Sequence, residues 1–202
     1  MQGSAANPSN HCGKQMIGIF DSGIGGLRVL RQIRRQLPRC DLLYFGDTAH
    51  MPFGDKSAEA ISAHVQKGIS FLTAAGARVI IIASHTAAAL AANLQIPNGT
   101  HLFDPVTISV QLALDAGPRK AIGIMATTAT VASGQYPDRI RRSHPDTKVY
   151  QAPCPVLIQL VAQGWLKRPE THLIAKKYLH PLKTRQIDTL ILASNHFLPV
   201  KA

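Results

Sequence analysis

The chain predicts an α/β protein of two pseudo-symmetric lobes, each built on a parallel sheet, with a ligand cleft between them. Three observations predict it. Short aliphatic runs alternate with helix-length segments, the pattern of βα units. The core-forming residues are aliphatic, with 46% hydrophobic but only 5% aromatic residues, which suits strands buried under helices. The second half also echoes the first. Ile17-Gly18-Ile19 before a Ser/Gly loop returns as Ile122-Gly123-Ile124 before a Thr-rich loop. Val79-Ile80-Ile81-Ile82-Ala83-Ser84-His85 returns as Thr189-Leu190-Ile191-Leu192-Ala193-Ser194-Asn195. Two echoes in one order, at nearly equal offsets, indicate a duplicated unit. The first lobe is expected over residues 16–98 and the second over 99–202. Residues 1–15 are polar and small, lack the apolar centre of a secretory signal, and are expected to form a disordered leader.

Residues 16–20 are an apolar strand ending at Asp21-Ser22-Gly23-Ile24-Gly25-Gly26. A helix follows with Leu27, Leu30, Ile33 and Leu37 on one side, closed by Pro38. Residues 41–45 form the next strand, and 49–56 a loop carrying Pro52 and Gly54. A helix over about 57–75 is stopped by Gly76. Residues 78–83 read as a strand buried on both faces, followed by Ser84-His85-Thr86 and an alanine-rich helix. In the second half, residues 120–125 form a strand ending in Ala126-Thr127-Thr128-Ala129-Thr130, with a helix to about His144. Residues 148–151 are a strand, and 156–163 a helix up to Gly164. A helix over 169–183 carries Pro181, and 188–193 is a buried strand ending at Ser194-Asn195-His196.

No apolar run approaches the roughly 20 residues of a membrane helix, so no membrane association is expected. The three cysteines, Cys12, Cys40 and Cys154, are too few and too widely spaced for a disulfide framework. A reducing cytoplasm is the simplest setting. Nine scattered histidines show no zinc-site spacing, so no metal is expected. The formal net charge is +11, and Arg28, Arg31 and Arg35 share one helix face. That face is either simply solvated or attracts an acidic partner. No zinc finger, RNA-binding aromatic motif or basic low-complexity tail argues for nucleic acid.

Every polar cluster falls at the carboxyl end of an expected strand, where open parallel sheets bind ligands. Ser22, Thr86, Thr127, Thr128 and Thr130 offer hydroxyls, and the loops offer N–H groups, which together suit a small carboxylate. The same residue types cap helices. Capping accounts for any one of them, whereas the whole set, repeated in both halves, points to a ligand site framed by Ser84 and Ser194.

These motifs resemble one family. Asp21-Ser22-Gly23-Ile24-Gly25-Gly26 with Leu27, Tyr44-Phe45-Gly46-Asp47-Thr48, Pro52-Phe53-Gly54 and Lys56-Ser57 occur in order in the first half. Ala126-Thr127 with Thr130-Val131 and Ser133-Gly134, Cys154-Pro155 and Gly164-Trp165 follow in the second. The set spans about Ile17 to His196 and is similar to the glutamate racemases of the aspartate/glutamate racemase family. The resemblance implies a two-lobed fold with one catalytic residue from each lobe. It implies cofactor-free interconversion of L- and D-glutamate for peptidoglycan, in which one cysteine thiolate removes the Cα proton and a second thiol returns one from the opposite face. A thiol, with an ordinary pKa of about 8.5, can change state near neutrality.

The chain departs from that pattern where the chemistry sits. The first cysteine motif, usually Cys-Asn-Thr, stands as Ser84-His85-Thr86, and the second, usually Cys-Thr-His, as Ser194-Asn195-His196. By resemblance, Ser84, Ser194 and His196 occupy catalytic positions. Asp21, Ser22, Phe53, Gly54, His85, Thr86, Thr130 and Asn195 occupy substrate-binding ones. Phe53 replaces a tyrosine and Ala162 a frequent glutamate. Cys154 matches a family position that is not catalytic. A serine works as a base only beside a group that takes its proton, and His196, two residues on from Ser194, is placed to pair with it. A direct Ser84–His85 bond is not expected, because strand neighbours face opposite ways.

Two chemical readings stay open: a racemase homologue that binds but no longer racemises, and a working racemase using His85 and His196. A third reading is a non-catalytic regulatory protein acting through its basic surface on an acidic protein, as some glutamate racemases act on DNA gyrase. The family's chain usually continues well past the second motif to complete the first lobe. This one stops at Ala202, so an exposed edge covered by a dimer mate or another partner is expected.

Overall fold

The computed structural model describes residues 15–91, 93–117 and 120–200. The expected leader, apart from Gln15, and Cys12 lie outside the described residues. Two all-parallel sheets make up the two lobes. The first has β1 (Met16–Asp21) and β3 (Ala77–Ile82) at its centre, β2 (Leu42–Gly46) at one edge and β4 (His101–Phe103) at the other, in the order β2-β1-β3-β4. Three helices connect its strands: α1 (Leu27–Gln36), α2 (Ala58–Ala74) and α3 (His85–Leu90). α4 (Pro105–Ala116) leads to the second sheet, of β5 (Ala121–Ala126), β6 (Lys148–Pro153) and β7 (Thr189–Ala193), ordered β6-β5-β7. Around it run α5 (Thr128–Ala132), α6 (Gln135–Ser143), α7 (Pro155–Ala162) and α8 (Pro169–Thr184).

The sequence echoes have a structural counterpart. β1 lies between β2 and β3 as β5 lies between β6 and β7. Ile17-Gly18-Ile19 and Ile122-Gly123-Ile124 occupy the same place in their sheets, and Ser84 and Ser194 follow equivalent strands. Gly18 and Gly123 also do the same work. A Cβ at Gly18 would meet Ile80 Cδ1 at 2.9 Å, and one at Gly123 would meet Ile187 Cδ1 at 2.6 Å. The two lobes share one apolar core cluster that runs from Phe20, Ile69 and Ile80 to Ile122, Tyr136 and Ile191.

Several elements differ from expectation. β4 pairs with β3 through Val79–His101, Ile80–Leu102 and Ile81–Phe103, so the first sheet extends past residue 98, where its lobe was expected to end. The helix expected up to about His144 is two helices, because Gly134 takes a left-handed φ of 68° between α5 and α6. The 49–56 loop contains two 3-10 turns, Thr48–His50 and Phe53–Asp55. β3 is not buried on both faces throughout: Ala77, Ile80 and Ile82 are buried, whereas Val79 and Ile81 are half-buried. They pack beside α1, itself without a buried residue. Cys40 is disulfide-bonded, although the wide cysteine spacing pointed to no disulfide framework, and Cys154 is free. No helix among the described residues is long and apolar enough to cross a membrane.

The caps explain where the helices start. Ser57, Ser84, Asp104 and Thr127 each accept a hydrogen bond from the N–H three residues on. Each thereby satisfies a donor that an uncapped helix would leave without a partner.

α2 lies on β1 through Gly68, whose missing side chain makes room for the Phe20 ring. Phe20 stacks on Phe45 at 5.8 Å and lies 6.5 Å from Phe53. Helix propensity alone would favour alanine at 68 by up to about 1 kcal/mol. Overpacking against an enclosed ring costs about 1–3 kcal/mol. Gly68→Ala is therefore expected to lower stability in chemical denaturation. An unchanged or raised midpoint would show that Phe20 and α2 do not meet as described.

Candidate functional site

The cleft is built from strand ends. β1 delivers Asp21 and Ser22, β3 delivers Ser84, and β7 delivers Ser194 and Asn195. With the loop residues Pro52, Phe53 and Gly54, and with Thr127 and Thr128 before α5, they enclose a cavity of about 390 Å³. That volume lies at the small end of ligand pockets. His85, Thr86 and His196 also line it. Among the described residues, no lysine or arginine does. Asp21, His85 and His196 are therefore its titratable side chains.

Asp21 is 2% exposed. Its Oδ2 accepts hydrogen bonds from the N–H groups of Gly23 and Gly26, each at 3.1 Å, and from the Tyr44 hydroxyl at 3.2 Å. Its Oδ1 accepts from Asn195 Nδ2 of the other lobe at 3.4 Å. Burial, and then the Asp21 charge, push the Tyr44 hydroxyl well above the ordinary tyrosine range, so it remains a donor.

The two serines are held differently. The Ser22 hydroxyl donates to Ser84 Oγ at 2.9 Å, and Ser84 Oγ also accepts from Ala87 N–H at 3.2 Å as the cap of α3. Ser194 Oγ lies 3.3 Å from His196 Nδ1 and accepts the His196 N–H at 3.3 Å. The Ser194–His196 pairing therefore exists. It arises in the 3-10 turn Asn195–Val200 rather than from strand alternation. Burial lowers the His196 pKa, Arg28 lowers it further, and the Asp21 carboxylate opposes both.

His85 turns away from Ser84. Its Nδ1 lies 2.6 Å from the hydroxyl of Tyr136, whose oxygen is 3.2 Å from Ser109 Oγ. Burial drives His85 down to about 4, with only partial opposition from the Asp104 carboxylate. Thr86, Thr127 and Thr130 form a triangle of hydroxyls with edges of 2.8, 3.1 and 3.2 Å. Thr130, fully buried, sits behind the wall rather than in it. Every other residue singled out from the sequence as catalytic or substrate-binding reaches the cavity surface. Gln159 and Ile158 of α7 also line it. Their helix was legible, but an amphipathic helix does not announce which face meets a cleft.

No cysteine among the described residues lines the cavity. Cys154 is fully buried at the start of α7, donates to the Ala152 carbonyl at 3.2 Å, and is pushed up to about 12 by burial. It is a structural thiol rather than a base.

No family model matches the chain. It is 38% identical over 194 residues to a glutamate racemase of Syntrophus aciditrophicus, covering 92% of this chain and 69% of that protein. It is 39% identical over 183 residues to one from Neisseria meningitidis, covering 90% and 68%. Among solved structures, glutamate racemase from Francisella tularensis in complex with D-glutamate superposes with a TM-score of 0.87 at 33% identity, over 93% of this chain and 71% of that one. The Bacillus anthracis isoform RacE1 gives 0.86 at 30% identity, over 93% and 71%. The chain thus spans about two thirds of the length of these relatives.

The buried His85 sets a pH expectation. Its folded pKa of about 4 lies below the ordinary 6.5. Between those values the unfolded chain binds more protons than the folded one. This contribution to stability is therefore complete above about pH 6.5 and is lost as pH falls towards 4. The ring is expected to be neutral at about pH 5 by NMR. His85→Gln is expected to flatten the acid-side loss of stability, which reaches about 1.4 kcal/mol per pH unit for one such group. A protonated His85 at that pH would contradict its burial against Tyr136.

Proposed function

This chain belongs to the glutamate racemase family, and from that membership we propose that its cleft binds a glutamate-like amino acid but is impaired in racemising it. The observation that carries the proposal is the pair Ser84 and Ser194 at the two equivalent strand ends facing the cavity. In the family pattern these positions hold the two thiols that exchange the Cα proton. A serine hydroxyl does not ionise near neutrality without a base to take its proton. Ser84 has Ser22 and a helix N–H as hydrogen-bond partners, and neither accepts a proton. Ser194 has His196, so only one of the two faces has an acid/base pair. Racemisation needs one on each face.

Binding asks less than chemistry. Asp21 is the one carboxylate among the described residues at the cavity surface and suits an ammonium group. Hydroxyls and backbone N–H groups suit carboxylates, with no cation required. The frame that would hold an amino acid is therefore present even where the bases are not.

D- and L-glutamate incubated with the protein in deuterated water are expected to bind but to show at most trace deuterium at Cα. General acid–base groups contribute about 10²–10⁴-fold each, so the double substitution Ser84→Cys/Ser194→Cys is expected to raise exchange by at least that factor. Rapid exchange in the unaltered chain that disappears in His196→Gln would overturn the impaired reading in favour of a working racemase with unusual bases. Absence of binding together with no gain from the two cysteines would overturn the ligand cleft itself.

A further inference from the structure

Outside the residues that line the cavity, three side chains with metal-binding donors converge. Asp47 follows β2, His50 closes the 3-10 turn Thr48–His50, and His64 lies on α2. One donor atom from each lies within 4.8 Å of the other two. Asp47 Oδ1 is 2.6 Å from His50 Nδ1, Asp47 Oδ2 is 3.9 Å from His64 Nδ1, and the two imidazole rings stack with centroids 3.8 Å apart.

A hydrogen-bonded Asp–His pair accounts for the first of these contacts only. The second oxygen of Asp47 faces His64 at a distance too long for a hydrogen bond. Two stacked imidazoles also disfavour a proton on both. Loss of hydration, and then the His50 ring, hold His64 below its ordinary range; Lys67 and Lys56 act in the same direction and Asp47 against it. A neutral imidazole is the form that ligates a metal.

We propose that Asp47, His50 and His64 form a binding site for a divalent transition-metal ion of the zinc class, which would clamp the turn after β2 to helix α2. Two imidazole nitrogens and one carboxylate oxygen are the donor set that borderline ions such as Zn²⁺ take, with the remaining positions open to water. Bonds of about 2.1 Å in a tetrahedron place donors about 3.4 Å apart. The Asp47–His50 separation of 2.6 Å is shorter than this and the Asp47–His64 separation of 3.9 Å longer, so binding an ion requires the His50 ring to shift. His50 is 47% exposed but paired with Asp47 and stacked on His64, whereas Asp47 is 7% exposed and anchored by its N–H to the Asp21 carbonyl at 2.9 Å. The nearby lysines weaken the attraction for a cation and make the expected affinity modest. His64 also faces the Phe53 ring at 6.1 Å. A bound ion would therefore stiffen the segment that presents Pro52, Phe53 and Gly54 to the cavity. The site stands on these three residues alone and does not depend on what the cleft binds.

Zn²⁺ titrated into the metal-free full chain by calorimetry, and Co²⁺ followed by visible absorption, test the site. One ion per chain is expected, with Co²⁺ bands of a nitrogen/oxygen site and no thiolate charge-transfer band. His50→Ala and His64→Gln are each expected to weaken binding by about tenfold or more, the scale on which even outer-sphere changes act. His101→Ala, at an exposed histidine outside the trio, is expected to leave binding unchanged. No stoichiometric binding, binding retained in both trio variants, or a thiolate band would each overturn the proposal. Because His50 is half-exposed, circular dichroism of His50→Ala without metal should match the parent chain, which keeps a loss of binding distinct from a loss of fold.

Discussion

The arrangement of the cleft depends on one buried carboxylate. Asp21 ends β1 almost out of contact with water, and an isolated charge there would be very costly. What makes it tolerable is a set of donors that also shapes the site. The N–H groups of Gly23 and Gly26 fold the loop back over the strand end, Tyr44 reaches across from β2, and Asn195 reaches across from the second lobe. Satisfying the charge therefore fixes the loop, the neighbouring strand and the approach of the other lobe. Removing any one donor would leave a charged acceptor short of a partner, so these contacts are more strongly specified than their individual lengths suggest.

The second constraint is that the lobes meet through polar groups as well as through a shared apolar core. Asp21–Asn195, the Thr86–Thr127–Thr130 triangle and His85–Tyr136 each cross between them. Apolar contact sets the distance but tolerates sliding. Hydrogen bonds with fixed partners set the register. A cleft whose two walls come from different lobes needs that register, because a ligand held between them meets groups from both. On the proposed reading, Ser84 and Ser194 stand where the family pattern has thiols, and the frame around them is intact. Serine is nearly isosteric with cysteine and serves as well or better as a helix cap, as Ser84 does for α3. A hydroxyl in place of a thiol at such a cap therefore costs the fold little.

Much of this was legible in the chain. The two echoes indicated the duplicated lobes, and the polar clusters at strand ends marked the cavity wall. What the sequence concealed has physical causes. β4 is three residues long and half-exposed, too short to show a period. α4 begins with Asp104-Pro105, a readable cap signal, but follows the loop-like segment from Pro97 to Thr100, where no periodicity leads into it. Thr130 belonged with the cleft hydroxyls by type, yet its hydrogen bonds turn it inward. The partner of His85 could not be read at all, because Tyr136 lies far along the chain and a buried tyrosine looks like any other core residue.

The Asp47–His50–His64 grouping was hidden for a related reason. Metal motifs are recognised by short spacings on one element, and this trio takes one residue from a strand end, one from a turn and one from a helix. Its position follows from Asp21 nonetheless. Parallel pairing of β1 with β2 sets Gly46 beside Asp21, and the next N–H, from Asp47, bonds to the Asp21 carbonyl. With its backbone held there, the Asp47 side chain reaches α2, where His64 lies one turn before Gly68 on the helix face that meets Phe20. One residue thus uses its side chain to organise the cleft and its main chain to place a carboxylate outside it. The two sites are joined through the loop that runs from Asp47 to Phe53, so a change in the stiffness of that loop is felt first at the cleft wall.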